Sequence, residues 1–330
     1  MFENKTILIT GGTGSFGRRF THLMLKRYKK IKKLIIFSRD ELKQFEMSNQ
    51  YKTSPYFDKL RFFIGDIRDK QRLDMALRDV DVVIHAAALK HVPSSEYNPF
   101  ETIKTNVLGT QNVIESCIDN NVSNLVSLST DKASSPVNLY GASKLLADKI
   151  AVGAEYIKGN TKVVSAVVRY GNVMASRGSI IPILMKQKNK NNIKLTDKEM
   201  TRFNISLDDA IELVLLSLKK AKGGEIFVPK LKSYRLLDLA KAIAPKAKFS
   251  FTGIRPGEKI HEEMISFTES ANTIEYNNYF IILPSFREYK ISDYIKKNGG
   301  KKVIKRFSYS SDANRNFLKI PEIKKIISNL

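Results

Sequence analysis

Short apolar runs of β type recur along the first half of the chain. Between them lie longer stretches in which apolar positions return about every three to four residues. The runs lie at 6–10, 34–37, 61–64, 81–86, 125–129 and 163–170, and the helical patterns at 16–28, 72–77, 99–117 and 139–156. Strand and helix alternating at this spacing build βαβ units, hence a parallel sheet covered on both faces. Right-handed crossovers then make the expected fold a doubly wound α/β sheet.

After residue 170 the rhythm changes. Residues 171–182 are rich in Gly, Ser and Asn and read as a loop. A helical pattern at 207–218 and a strand at 225–228 follow, and Pro256-Gly257 marks a turn ahead of another helical pattern. The expected division is a nucleotide-binding domain over 1–171, rejoined by about 203–230, and a smaller C-terminal substrate-binding region from 172–202 and 231–330. The smaller region packs over the carboxyl ends of the strands, and 269–330 carries no assignable role.

Composition narrows the function classes. With 330 residues, 42% hydrophobic and 27% charged, the chain can bury a core. Cys117 is the single cysteine, which excludes an internal disulfide, and the four histidines show no zinc spacing. The chain enters its first strand without a signal-type apolar segment, and no apolar stretch approaches bilayer length. A cytoplasmic protein without membrane contact is expected. The net charge of +23 suits either a nucleic-acid binder or a solvated lysine-rich surface. Lysines are spread along the whole chain, and 296–305 reads as a solvated loop, so no nucleic-acid partner is expected. A positive field also draws in a substrate bearing a diphosphate.

Thr10-Gly11-Gly12-Thr13-Gly14-Ser15-Phe16-Gly17 follows the first strand and opens the first helix. Gly11 permits a tight turn, Gly14 lets the backbone approach a pyrophosphate, and Gly17 lets the helix pack close to the sheet. The pyrophosphate rests on exposed N–H groups at the helix N-terminus, where the dipole favours an anion. With a strand before and a helix after, the loop reads as a Rossmann-type dinucleotide site rather than an ordinary glycine turn. Ser38-Arg39-Asp40 follows the second strand. A hydroxyl and a guanidinium suit the 2′-phosphate of NADP, with Lys43 and Arg18 adding charge; the alternative is Asp40 on the ribose of NAD. Asp66 is placed either to accept from the adenine amino group or to cap the next helix. Thr13, Ser15, Phe16, Ile67, Ala86 and Lys90 complete the cofactor candidates.

Ser129-Thr130-Asp131-Lys132 stands at the carboxyl end of the fifth strand, where open α/β sheets bind ligands. Tyr140 and Lys144, four apart, share one face of the next helix, entered near Pro136. An ammonium beside a phenol favours the phenolate, which can take a hydroxyl proton while a hydride leaves the same carbon; Lys144 can also hold the nicotinamide ribose.

The glycine loop together with Tyr140-x-x-x-Lys144 resembles the extended short-chain dehydrogenase/reductase superfamily over residues 6 to about 263, with His85-Ala86-Ala87-Ala88 and Asn106 in matching places. In the common 4,6-dehydratases of that superfamily an Asp-Glu pair eliminates water; here the pair is Asp131-Lys132. Asp131 must be protonated to act as the acid, which burial favours, and Lys132 must be neutral to act as the base. That calls for a pKa lowered by desolvation or by Lys90 and Lys144. The bland reading makes Asp131 a helix cap and Lys132 a surface lysine.

The stretches 38–44, 86–93, 129–144, 169–173, 200–203 and 253–259 are similar to the inverting UDP-N-acetylglucosamine 4,6-dehydratases that open the pseudaminic acid pathway. A sister group on the N-acetylfucosamine pathway typically lacks the tyrosine that stands here as Tyr140. The resemblance implies NADP, UDP-N-acetylglucosamine as substrate, and UDP-2-acetamido-2,6-dideoxy-β-L-arabino-hexos-4-ulose as product. Implied substrate contacts are Lys90, Thr130, Asn172, Arg177, Ser179, Arg202, Arg255 and Glu258, the arginines pairing with the diphosphate. Relatives pair the helices that here lie at 99–117 and 139–156, so a homo-oligomer is expected, dimer-based, with a hexamer as a further form. A UDP-sugar 4-epimerase, a 4,6-dehydratase/5-epimerase of the N-acetylfucosamine pathway and a non-catalytic NADP-binding protein stay open as alternatives.

Overall fold

The computed structural model describes residues 1–174, 180–189, 191–285 and 290–328. Strands β1 (Thr6–Thr10), β2 (Lys33–Ser38), β3 (Leu60–Ile64), β4 (Val82–His85), β5 (Asn124–Thr130) and β6 (Val164–Tyr170) coincide with the six runs read from the sequence. They pair in parallel in the order β6-β5-β4-β1-β2-β3. All five residues of β1 are buried, as in a strand covered on both faces.

The helices divide between the two faces. On one side α1 (Ser15–Arg27), α2 (Glu41–Tyr51) and α9 (Leu207–Lys220) pack onto Ile7 and Ile9 of β1. On the other, α3 (Lys70–Ala76), α6 (Gly109–Asp119) and α7 (Leu139–Ile157) pack with Leu8. Opposite faces of one strand thus feed two cores, as its period of two requires. The helix expected over 99–117 is interrupted. It runs as α5 (Pro99–Ile103), a π-helical turn (Lys104–Leu108) and α6, following a short α4 (Val92–Tyr97). The sequence reading missed α2, whose apolar period is scrambled because Leu42 and Phe45 are exposed while Gln44 is buried beside Met47; Asp40 caps it by accepting from the Lys43 N–H.

Beyond β6 the chain lays down β7 (Asn172–Val173), α8 (Ile180–Gln187), β8 (Asn192–Leu195) and β9 (Thr201–Ile205). After α9 come β10 (Glu225–Pro229), β11 (Lys232–Arg235), α10 (Leu236–Ile243) and β12 (Lys248–Phe251). The expected 171–182 loop therefore stops at Ile180, where α8 begins. β10 joins β6 in parallel. A separate core forms where α8, α10 and β8 meet α12 (Ile320–Ser328).

The C-terminal half departs from the pattern read in the sequence. The turn at 256–257 leads into β13 (Glu263–Ile265), which pairs with β17 (Tyr309–Ser310), rather than into a helix. And 231–330 is not all substrate region: β14 (Thr273–Glu275), β15 (Tyr279–Ile282) and β16 (Lys301–Lys302) extend the main sheet beyond β10 in antiparallel fashion, to ten strands among the described residues. The stretch 296–305 holds the end of α11 (Ile291–Asn298) and this lysine-bearing edge strand, not a plain loop. Lysines on an edge strand discourage pairing with a further chain.

Candidate active site

A cleft of about 690 Å³ opens at the carboxyl ends of β1, β2, β4, β5 and β6. At its β1 end, Gly11 has φ +64°, and a Cβ there would lie 2.9 Å from the Ala87 backbone. A Cβ on Gly17 would strike the Gly12 carbonyl oxygen at 2.3 Å, so α1 reaches the loop only because both positions are glycine. The first turn of α1 carries no acidic residue and no side-chain cap. Its N–H groups and dipole therefore face the cleft available to an anion, which fits a dinucleotide pyrophosphate.

Gly11, Thr13, Gly14, Ser15, Phe16 and Gly17 line this end, with Ser38, Arg39, Asp40, Lys43, Asp66, Ile67, Ala86 and Lys90 around them. Thr13 Oγ1 donates to Ser38 Oγ at 3.1 Å. Asp40 is committed to capping α2 and to Lys43. Asp66 accepts from the Arg68 main-chain N–H and guanidinium and lies 3.5 Å from Arg39 Nη1. It does not cap the next helix: Asp69 does. Asn106 pins the Lys90 loop, exchanging two bonds with the Leu89 backbone and donating to Ser143 Oγ. Burial lowers the Lys90 ammonium pKa.

Thr130 ends β5 and a single 3₁₀ turn carries Asp131 and Lys132. Asn138 caps α7 by accepting from the Gly141 N–H at 2.8 Å and is itself held by the Gly257 carbonyl. A Cβ on Gly141 would meet the Lys132 carbonyl oxygen at 2.4 Å, so this glycine brings the start of α7, and Tyr140 with it, against the 3₁₀ turn. Thr130, Lys132, Tyr140, Lys144 and Asn172 line the cleft together.

Asp131 is fully buried directly beneath them. Its Oδ1 accepts from Thr130 Oγ1 and Lys132 Nζ, both at 3.0 Å, and its Oδ2 has no partner among the described residues. Burial, with help from Glu262, pushes the Asp131 carboxyl up despite the Lys132 charge. Lys132 behaves opposite to expectation. Burial disfavours its charge, but Asp131 and Glu262 outweigh that and raise its pKa. Lys90 and Lys144 are not the groups that set it. Its Nζ lies 3.0 Å from Asp131 Oδ1, 3.2 Å from Asn172 Oδ1 and 2.9 Å from Glu262 Oε1.

Burial pushes the Tyr140 phenol up to about 12, against the Lys132 charge and a hydrogen bond with Thr130. The foremost cation favouring its phenolate is thus Lys132 rather than Lys144. Lys144 donates to the Leu128 carbonyl at 2.7 Å, and burial lowers its pKa against the pull of Asp148. Asp148, one turn further along α7, accepts from Ser129 Oγ and Arg169 Nη2, and Arg169 also pairs with Glu269 at 3.0 Å.

The remaining substrate candidates lie elsewhere. Arg202 is engaged by the protein: Nη1 donates to the Thr201 and Ile260 carbonyls, Nη2 to that of Lys259, and Nε lies 3.6 Å from Glu262. With those donors engaged it braces the site instead of facing the cleft. Arg255 is exposed on its turn, and Glu258 stands 3.9 Å from Arg202; neither lines the cleft. Arg177 and Ser179 lie outside the described residues. Sequence reasoning missed Glu262 and Asp148. The four-residue step from Lys144 was a usable signal for Asp148; nothing local pointed to Glu262.

The sequence profile of the family described as "Polysaccharide biosynthesis protein" matches residues 7–284. The chain belongs to that family. It is 50% identical over its whole length to a Campylobacter jejuni protein (serotype O:23/36, strain 81-176) named UDP-N-acetylglucosamine 4,6-dehydratase (inverting), covering 99% of that relative. It is 42% identical, again over its whole length and 97% of the relative, to a Rickettsia bellii (strain OSU 85-389) protein named UDP-glucose 4-epimerase. Among solved structures it is similar to Pen from Bacillus thuringiensis, with a TM-score of 0.88 and 37% identity over 100% of this chain and 99% of that one. The dTDP-glucose 4,6-dehydratase of Streptomyces venezuelae, solved with NAD bound, gives a TM-score of 0.67 and 26% identity over 77% of this chain and 86% of that one.

Proposed function

We propose that this chain is an inverting UDP-N-acetylglucosamine 4,6-dehydratase. The observation that carries the reading is Asp131: a fully buried carboxyl with one oxygen unpartnered among the described residues, flanked by Lys132 and close under Tyr140. A 4-epimerase needs only the tyrosine, the lysine and a hydroxyl helper. Elimination of water needs an acid and a base more.

When bound, a nicotinamide cofactor supplies the hydride acceptor for C4 and the hydride donor for C6. Tyr140, bonded to Thr130, accepts the C4 hydroxyl proton, and Lys144 holds the ribose. The 4-ketone acidifies the C5–H bond, and Lys132 in its neutral form takes that proton. Asp131, kept protonated by burial, gives its proton to the departing C6 hydroxyl. A proton drawn from solvent reaches C5 on the opposite face and inverts that centre, and exchange with solvent returns Lys132 to the neutral amine and Asp131 to the acid. The product is UDP-2-acetamido-2,6-dideoxy-β-L-arabino-hexos-4-ulose.

Arg39 and Lys43 at the β2 end, with Asp40 already engaged, support NADP over NAD. Asp66 takes the adenine amino group, and Asn172 contacts the substrate beside Lys132. The assembly is a homo-oligomer built on the α5–α6 and α7 faces. The enzyme works in the cytoplasm and feeds the pseudaminic acid pathway; no helix among the described residues is long and apolar enough to cross a membrane. Mass spectrometry after incubation with UDP-N-acetylglucosamine and NADP tests the reaction: the sugar nucleotide loses the mass of one water, whereas an epimerase leaves the mass unchanged.

A further inference from the structure

Glu262 is 2% exposed and comes to the site from a segment far from β5 in sequence. Its main chain is pinned on both sides by Ser311, whose Oγ accepts from the Glu262 N–H and whose N–H donates to the Glu262 carbonyl. The side chain thus reaches the site from a fixed base. Oε1 lies 2.9 Å from Lys132 Nζ and 3.6 Å from Arg202 Nε, and Oε2 has no partner among the described residues. Its charged and titratable surroundings are Lys132 and Asp131 from the end of β5, Arg202 from β9, Tyr234 from β11 and Lys259 from its own segment.

An ammonium has three N–H donors. Lys132 faces three oxygens, on Asp131, Asn172 and Glu262, so its Nζ is held rather than free to swing. Of the two carboxylates, Asp131 serves as the acid and spends the working state protonated. Glu262 is then the negative charge that remains beside the amine. A buried ion pair adds little net stability over an apolar pair, so one set against a residue that is 23% open to the cleft points to a task at the site.

We propose that Glu262 is a positioning residue for the proton transfer at C5: its carboxylate fixes the aim of the Lys132 amine and sets the strength of that base. This rests on the reading of Lys132 as the C5 base. Taking the carboxylate away leaves the amine weaker and less well aimed, while the Tyr140 step at C4 keeps its geometry.

The test follows both steps in full-length Glu262→Gln. C4 oxidation is read from the transient near-ultraviolet absorbance of reduced nicotinamide, and C5 proton transfer from deuterium uptake in heavy water across pH. C4 oxidation is expected within about threefold of the parent, with C5 uptake at its best at least about tenfold lower. The rise of uptake with pH is expected to level off about one pH unit or more earlier, because an ammonium without its carboxylate gives up its proton more readily. Glu262→Asp, which restores a carboxylate, recovers part of both effects; if the glutamine chain does not fold, the aspartate chain carries the same comparison against the parent. Equal pH profiles and equal C5 uptake overturn the proposal, as does a parallel loss of both steps. If Lys132→Ala abolishes C5 uptake while Glu262→Gln leaves it untouched, this inference alone fails. If uptake survives in Lys132→Ala, the assignment of the base fails and takes the inference with it.

Discussion

Lys132 Nζ lies 3.0 Å from Asp131 Oδ1, so two consecutive residues form a buried couple in which the carboxyl is pushed toward its neutral form and the amine toward its charged form. If they are the acid and the base of the elimination, neither is replaceable by an uncharged neighbour. Asp131→Asn and Lys132→Ala are each expected to lower water loss by about a hundredfold to ten-thousandfold. Oxidation at C4, followed as transient reduced nicotinamide, is expected to persist in Asp131→Asn and to fall less than water loss does in Lys132→Ala, which also removes the foremost cation beside the Tyr140 phenol. Full dehydration in either variant contradicts the roles of acid and base.

The resting protonation states predict the pH dependence. Tyr140 acts as an ionised phenol, and burial pushes it up to about 12; Lys132 acts as a neutral amine and is raised as well. Both groups must lose a proton that they hold at neutrality, so a rise in pH helps both. The expected kcat/KM profile climbs from about pH 6 toward about pH 9, for as long as the Asp131 carboxyl, raised by burial, keeps the proton it must donate. An optimum on the acid side of neutrality is incompatible with it.

If the cofactor is NADP, Arg39 is the residue that separates the two dinucleotides. Its side chain is half exposed at the rim of the β2 end, while Asp40 caps α2. A guanidinium on a 2′-phosphate contributes about 1.5–3 kcal/mol through charge-assisted bonds. Arg39→Ala is therefore expected to weaken NADP by about tenfold to a hundredfold and to leave NAD nearly unchanged, as measured by calorimetric titration of each cofactor. Equal losses for both cofactors would remove Arg39 from the 2′-phosphate site.

Arg169 carries a structural load behind Lys144. It is fully buried between Asp148 and Glu269, and it bonds the Met264 carbonyl. Arg169→Ala takes the cation away from buried Asp148, which keeps only the Ser129 hydroxyl among the described residues, and from Glu269, which keeps Ser266; losing the partner of a buried charge costs about 3–5 kcal/mol. Urea unfolding is expected to show a loss of that order, and a variant as stable as the parent contradicts it.

The parallel core was legible because β1 to β6 are apolar runs separated by periodic helices, a pattern set by burial on both faces. The glycine loop was legible because turn, close approach and helix packing each demand a missing side chain at a fixed step, as Gly11 and Gly17 show. What escaped reading depends on long-range contact. β14, β15 and β16 are two to four residues long, too short to display a period, and they belong to the sheet only through their partners. The charge of Lys132 was misread for two reasons: adjacent Asp131, the first group to raise it, was weighed only as an acid, and Glu262, the second, is brought in by the β13–β17 region, which no local spacing encodes. The setting of Arg202 was not legible for a related reason: a guanidinium suits phosphate and carbonyl oxygens alike, and only the fold supplies the carbonyls of Thr201, Lys259 and Ile260.

The central claim is that Asp131 and Lys132 turn an oxidation at C4 into a water elimination with inversion at C5. Proton NMR of the reaction with UDP-N-acetylglucosamine in heavy water tests it in one spectrum. The expected product is a 6-deoxy-4-keto sugar with deuterium at C5 and that centre inverted, formed with no net accumulation of reduced cofactor. A product that keeps its C6 hydroxyl, or one that retains the original C5 proton and configuration, contradicts it.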